Sequence, residues 1–161
     1  MSSASDKPGL WDWAQRAYAA PGVEARCLAL QDRSGQSVCL LLWADWAAVS
    51  GRAPTPKALA EAVDLARTWE SEVTGPLRAA RRGLKTVPGL AAGARSALRA
   101  QVQAAELDAE RSLLAALEPL ADAGGDKNLH PVAAMSAACR AWGKPAPAQA
   151  LVALAAALPR S

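Results

Sequence analysis

The spacing of apolar positions divides the chain into helical segments. Trp11, Ala14 and Tyr18 recur at i, i+3 and i+7 and predict a first helix. Ser5 or Asp6 would cap it, Pro8 would lie in its opening turn, and Pro21-Gly22 would end it. Val23, Cys27 and Leu30 share a stripe of a second helix over residues 23–33, closed by Ser34-Gly35 with glycine as the left-handed cap. From Ser37 to Ser50 the pattern changes: Val38, Cys39, Leu40, Leu41, Leu42, Trp43, Trp46 and Val49 leave almost no polar face. A helix that is apolar all round belongs at the centre, surrounded by its neighbours. Residues 38–43 alone would also suit a buried strand, but the alanines and the length of the segment favour helix.

Further along, Thr55-Pro56 is a cap followed by proline at the first helical position. Leu59, Val63, Ala66, Trp69 (or Glu70) and Val73 carry the inner face of that helix. Pro76 removes the bond to the Glu72 carbonyl, so a kink or restart is expected there before the helix continues to Lys85. Residues 86–93 read as a linker. Over 94–117, Leu98, Val102, Ala105, Ala109, Leu113 and Leu117 recur at spacings of three or four, and Leu120 extends the stripe. Gly124-Gly125 marks a loop, Pro131 opens a helix carrying Val132, Met135, Cys139 and Trp142, and Pro147 opens a last one with Leu151, Leu154, Ala155 and Leu158 inward. The expected fold is all-α: one domain over residues 1–161, a compact bundle of about six or seven helices with the apolar segment 37–50 central.

Composition strengthens the helical reading and narrows the chemistry. Of 161 residues about a quarter are alanine, the best intrinsic helix former, and there is no phenylalanine. Six tryptophans are then the natural filler of an alanine-heavy core. Cys27, Cys39 and Cys139, an odd number without a CxxC pair, build no disulfide framework. With a single histidine, His130, soft metal ligands are scarce, so neither a metal nor a cofactor is expected. Residues 1–9 lack the apolar core of a signal peptide, and no apolar run approaches the ~20 residues that span a bilayer. These features imply a cytoplasmic setting without a membrane partner.

No phosphate loop, nucleophile elbow or metalloprotease motif occurs, and His130, at a loop-to-helix junction, reads as a surface or capping residue. No catalytic residue is expected. Asp45 is the only charged residue between Arg33 and Arg52, and on an apolar helix it should reach the rim or find a partner. The main charge feature is local. Between Glu72 and Glu106 stand Arg78, Arg81, Arg82, Lys85, Arg95 and Arg99, with no acid among them. Arg78, Arg81 or Arg82, and Lys85 fall on one helix face. This points to an adaptor or regulatory module that offers a basic face to an acidic protein partner. Two alternatives stand beside it. One is RNA or DNA binding through residues 78–99. The other is a small-molecule or lipid-binding protein, or an enzyme, with a pocket built from Trp43, Trp46, Trp69, Asp45 and Asp32.

Leu10-Trp11-Asp12-Trp13, Tyr18, Pro21-Gly22-Val23, Cys27-Leu28-Ala29-Leu30-Gln31-Asp32, Gly35 and Leu40-Leu41-Leu42-Trp43 form a specific motif string. Trp69, Pro76-Leu77-Arg78, Arg81-Arg82 and Lys85 continue it. Over residues 10–85 the chain resembles a proteobacterial family of small proteins catalogued as a domain of unknown function. The resemblance implies a helical bacterial protein and an asparagine at the position where this chain has Cys39. It brings no catalytic residues.

Overall fold

The structure, a computed structural model, describes residues 8–122 and 124–160. Ser5 and Asp6, the expected caps of the first helix, lie outside the described residues. The helices are α1 (Leu10–Ala19), α2 (Val23–Ser34), α3 (Val38–Val49), α4 (Pro56–Trp69), α5 (Gly75–Gly83), α6 (Ala92–Leu117), α7 (Pro131–Trp142) and α8 (Ala148–Ala157). A π turn, Glu70–Thr74, joins α4 to α5 without a break, and a 3-10 turn, Glu118–Asp122, extends α6. The described residues contain no strand, and none of their helices is long and apolar enough to cross a membrane.

Local chemistry explains most boundaries. Ser37 accepts from the Leu40 amide at 3.3 Å and Thr55 from the Ala58 amide at 3.1 Å, the N-caps of α3 and α4. His130 caps α7, its Nδ1 accepting from the Val132 amide at 3.2 Å. Gly35 takes the left-handed conformation, φ 61°, and with Gln36 returns amide bonds to Gln31 and Leu30 at the end of α2. Several boundaries differ from expectation by a few residues. α1 starts at Leu10 behind Gly9, so Pro8 precedes the helix instead of opening it. α6 starts at Ala92, which shortens the linker expected over 86–93.

Every residue of α3 but its last, Val49, is buried, and α7 packs along it more extensively than any other helix. The tryptophans fill and brace this core. Trp13, Trp43 and Trp46 are fully buried and Trp142 nearly so. Four indole N–H groups tie distant segments together: Trp13 to the Pro159 carbonyl (3.3 Å), Trp46 to Pro8 (3.4 Å), Trp69 to Ala109 (2.8 Å) and Trp142 to Gly35 (2.9 Å). Each satisfies a buried donor while joining elements far apart in sequence.

At the junction of α4 and α5 the helix widens instead of breaking. The Gly75 amide bonds to the Glu70 carbonyl, five residues back, which is the π spacing. A side-chain carbon on Gly75 would press into that same carbonyl oxygen, so the turn requires glycine. Within the turn the Thr74 hydroxyl donates to the Glu70 carboxylate at 3.0 Å. Gly75→Ala is therefore expected to destabilise the protein by on the order of 1–3 kcal/mol through overpacking. Gly83→Ala, on the same helix but facing open space, should be neutral or stabilising. Urea unfolding of both variants checks this, and equal midpoints would contradict the role given to Gly75.

Asp45 does not reach the rim, as its sequence context suggested it should. It is 1% exposed and its Oδ1 has no hydrogen-bond partner. The core accommodates it in the uncharged form: burial pushes its pKa up to about 7, while the charge of Arg160 pulls the other way. An unfolded chain ionises this group near 3.8, so the folded chain holds the proton across the interval up to about 7. Stability from this residue is full below that interval, declines as pH rises through it, and is level above it. Asp45→Asn should remove the decline and stabilise the protein above neutrality by at most roughly 3–4 kcal/mol. Unfolding free energies at about pH 4.5 and about pH 8 test this; equal pH dependence in both proteins would count against it.

Candidate functional site

From Gly75 to Asp108 no residue is buried. α5 and the first half of α6 thus form a helical arm that packs on itself and stands off the core. Leu98, expected on the inner stripe of α6, is 42% exposed, and Leu107 is 54% exposed. The spacing was that of an amphipathic helix, but α6 outruns the elements that could cover it. Only from Ala109 onward does it join the core.

The six cations of the basic segment divide into two groups. At the base of the arm, Arg78 pairs with Glu70 at 2.8 Å and also donates to Gln31 at 3.4 Å. Arg81 pairs with Glu106 at 2.6 Å, and the exposed Arg82 with Asp32 at 3.4 Å. Their acids come from the π turn, from α6 and from α2. Of the three pairs, Arg81–Glu106 is the least exposed; the solvated Arg82–Asp32 contact contributes little.

At the tip, Lys85, Arg95 and Arg99 surround an open cleft together with Leu84 and Leu90. Lys85 lies beyond the end of α5, in the turn that follows it. Arg95 is occupied structurally, donating to the carbonyls of Lys85 and Val87 at 2.8 Å each and closing the α5–α6 turn. Arg99 has no ion-pair partner among the described residues, and its Nε is buried without a hydrogen bond.

A second concavity of about 280 Å³ lies between α1, α3 and α6. Trp11 and Tyr18 come from α1, Cys39 from α3, and Leu107, Glu110 and Leu114 from α6. Glu110 makes no ion pair with any described residue. Burial raises its pKa, the neighbouring Glu106 adds to the rise, and Arg78 and Arg81 oppose it. Burial pushes the Cys27 thiol up to about 12 and raises Cys39 as well, which leaves both as inert core thiols. Tyr18 is raised too, by desolvation first and then by Cys27 and Glu110.

The alternative pocket residues do not meet at this cavity. Trp43 and Trp46 lie in the core, Trp69 spans α4 and α6, Asp45 is enclosed, and Asp32 is on the surface with Arg82. The residues that line the cavity carried a weaker signal. Trp11 and Tyr18 share one face of the first helix by spacing, and Glu110 lies off the apolar stripe of α6, neither of which marks a cavity. Cys39, at the position where the resemblance implies asparagine, is one of its walls. No group of three or more His, Cys, Asp or Glu among the described residues is placed to hold a metal ion.

Comparison with known proteins adds one relationship. No curated protein and no solved structure matches the chain. The model of one protein family matches residues 9–117, further than the motif string that ends at Lys85. The match takes in α1 to α6, hence both the arm and the cavity, and stops before α7 and α8. The chain belongs to that family, described as a protein of unknown function (DUF2390).

Proposed function

We propose that the protein is a non-catalytic interaction module whose α5–α6 arm receives an acidic protein partner. The observation that carries this is the arm itself. It extends without a buried residue, carries six cations and no acid before Glu106, and exposes Val87, Leu90 and Leu98. Three of the cations are spent on fastening its base, which leaves Lys85 and Arg99 free to meet carboxylates beside exposed leucines. Mixed apolar and cationic surface suits an acidic amphipathic segment.

Nucleic acid is the weaker reading. The arm has no aromatic side chain from Gly75 to Asp108, so it offers no stacking platform for bases. Phosphate attraction alone would give weak, strongly salt-dependent binding.

The test places a photo-crosslinking residue at position 98 of the full chain. A crosslinked acidic protein is expected, lost in the Lys85→Glu/Arg99→Glu double variant and kept in an Arg33→Glu control. Crosslinks unchanged by the double variant would sink the proposal. Crosslinks to RNA would transfer the arm to the other class of partner.

A further inference from the structure

We infer that the cavity between α1, α3 and α6 is a binding site for a small organic cation with an apolar body. The reasoning is independent of the arm. Its walls are apolar or aromatic except at a few points, and its volume of about 280 Å³ suits a small molecule rather than a peptide or an acyl chain. Glu110 supplies the one ionisable carboxylate named in that wall. One turn earlier, Glu106 is neutralised by Arg81 at 2.6 Å, while Glu110 has no such partner among the described residues.

The ligand class follows from what this arrangement lacks. A half-buried carboxylate beside another glutamate is harder to ionise than an exposed one, even with Arg78 and Arg81 opposing the rise, and a cation in direct contact would ease this. Trp11 and Tyr18 present ring surface on the facing helix, and aromatic faces attract ammonium groups. The raised thiol of Cys39 and the raised phenol of Tyr18 stay protonated, so neither adds a charge that competes with Glu110. Arg111 stacks over Trp11 at 5.4 Å and helps to hold the indole in place. An alkylammonium ion would set its charge on Glu110, its methylene groups against Leu107 and Leu114, and one face against an aromatic ring. An anion would meet Glu110 directly and be rejected. A neutral alcohol would fill the space without answering the charge.

Cyclohexylammonium, cyclohexanol and cyclohexanecarboxylate are the probes, titrated into the full chain by calorimetry and thermal unfolding. The ammonium ion is expected to bind and to raise the melting temperature, the alcohol to bind about ten-fold more weakly, and the carboxylate not to bind. Glu110→Gln should abolish the preference for the ammonium ion while leaving the alcohol unaffected. This variant keeps the size of a half-buried side chain and is expected to fold, its melting curve serving as the control. Trp11→Leu should weaken the ammonium ion more than the alcohol. Absence of ammonium binding, equal affinity for ammonium and alcohol, or a preference that survives Glu110→Gln would each overturn the assignment.

Discussion

One constraint organises the molecule: α3 has no polar face. A helix of this kind loses its stabilising burial wherever a side is left open to water, so the other helices have to enclose it. α1 and α2 cover it from the N-terminal side, α6 crosses it with its second half, and α7 lies along it. The family match ends at Leu117, yet α7 lies beyond it and supplies much of this cover. The closing elements are held by indole N–H groups that reach backbone carbonyls of neighbouring segments. In a core without phenylalanine, four of the six indoles therefore serve both as volume and as cross-braces.

The arm obeys the opposite rule. It has no buried residue, so its attachment depends on polar geometry instead of packing. A stretch with six cations and no acid before Glu106 must find its carboxylates at a distance, and it takes them from the π turn, from α2 and from the far end of its own α6 segment. The π turn is what brings the nearest of them into position. Without the extra residue between Trp69 and Gly75, the register of Glu70 relative to Thr74 and Arg78 would be that of an ordinary helix. The Glu70 pairing is thus a consequence of backbone form, and Gly75 is the residue that permits the form.

What could be read from the sequence was local. The caps at Ser37, Thr55 and His130, the stop at Gly35 and the centrality of α3 all rest on neighbours within one turn, or on periodicity. The kink or restart expected at Pro76 marks the departure from regular helix, but its π form rests on the Gly75 amide reaching the Glu70 carbonyl, which periodicity does not show. The pairing of Arg81 and Arg82 was hidden because Glu106 and Asp32 become their neighbours only when α6 and α2 approach α5, and that of Arg78 because Glu70 reaches it across the π turn. Leu98 was misplaced for a related reason. Periodicity shows which face of a helix is apolar, but not whether another element is long enough to cover it. The cavity was the least visible feature, since the Trp11–Tyr18 stripe looks the same whether the space in front of it is filled or empty.

Glu106 and Glu110 show how closely the two features of α6 are joined. They stand one turn apart, where like charges repel. Glu106 fastens Arg81 of the arm; Glu110 faces the cavity and makes no ion pair with a described residue. The fold meets the repulsion by protonating the second glutamate more readily than an exposed one, with burial as the larger cause. A positive charge placed in the cavity would relieve the same repulsion by a different route. The carboxylate would then remain ionised, and the negative potential felt by Arg78 and Arg81 at the base of the arm would change only where the cation screens it. Occupancy of the cavity and the fastening of the arm therefore act on one short electrostatic cluster, and neither can be altered without being felt at the other.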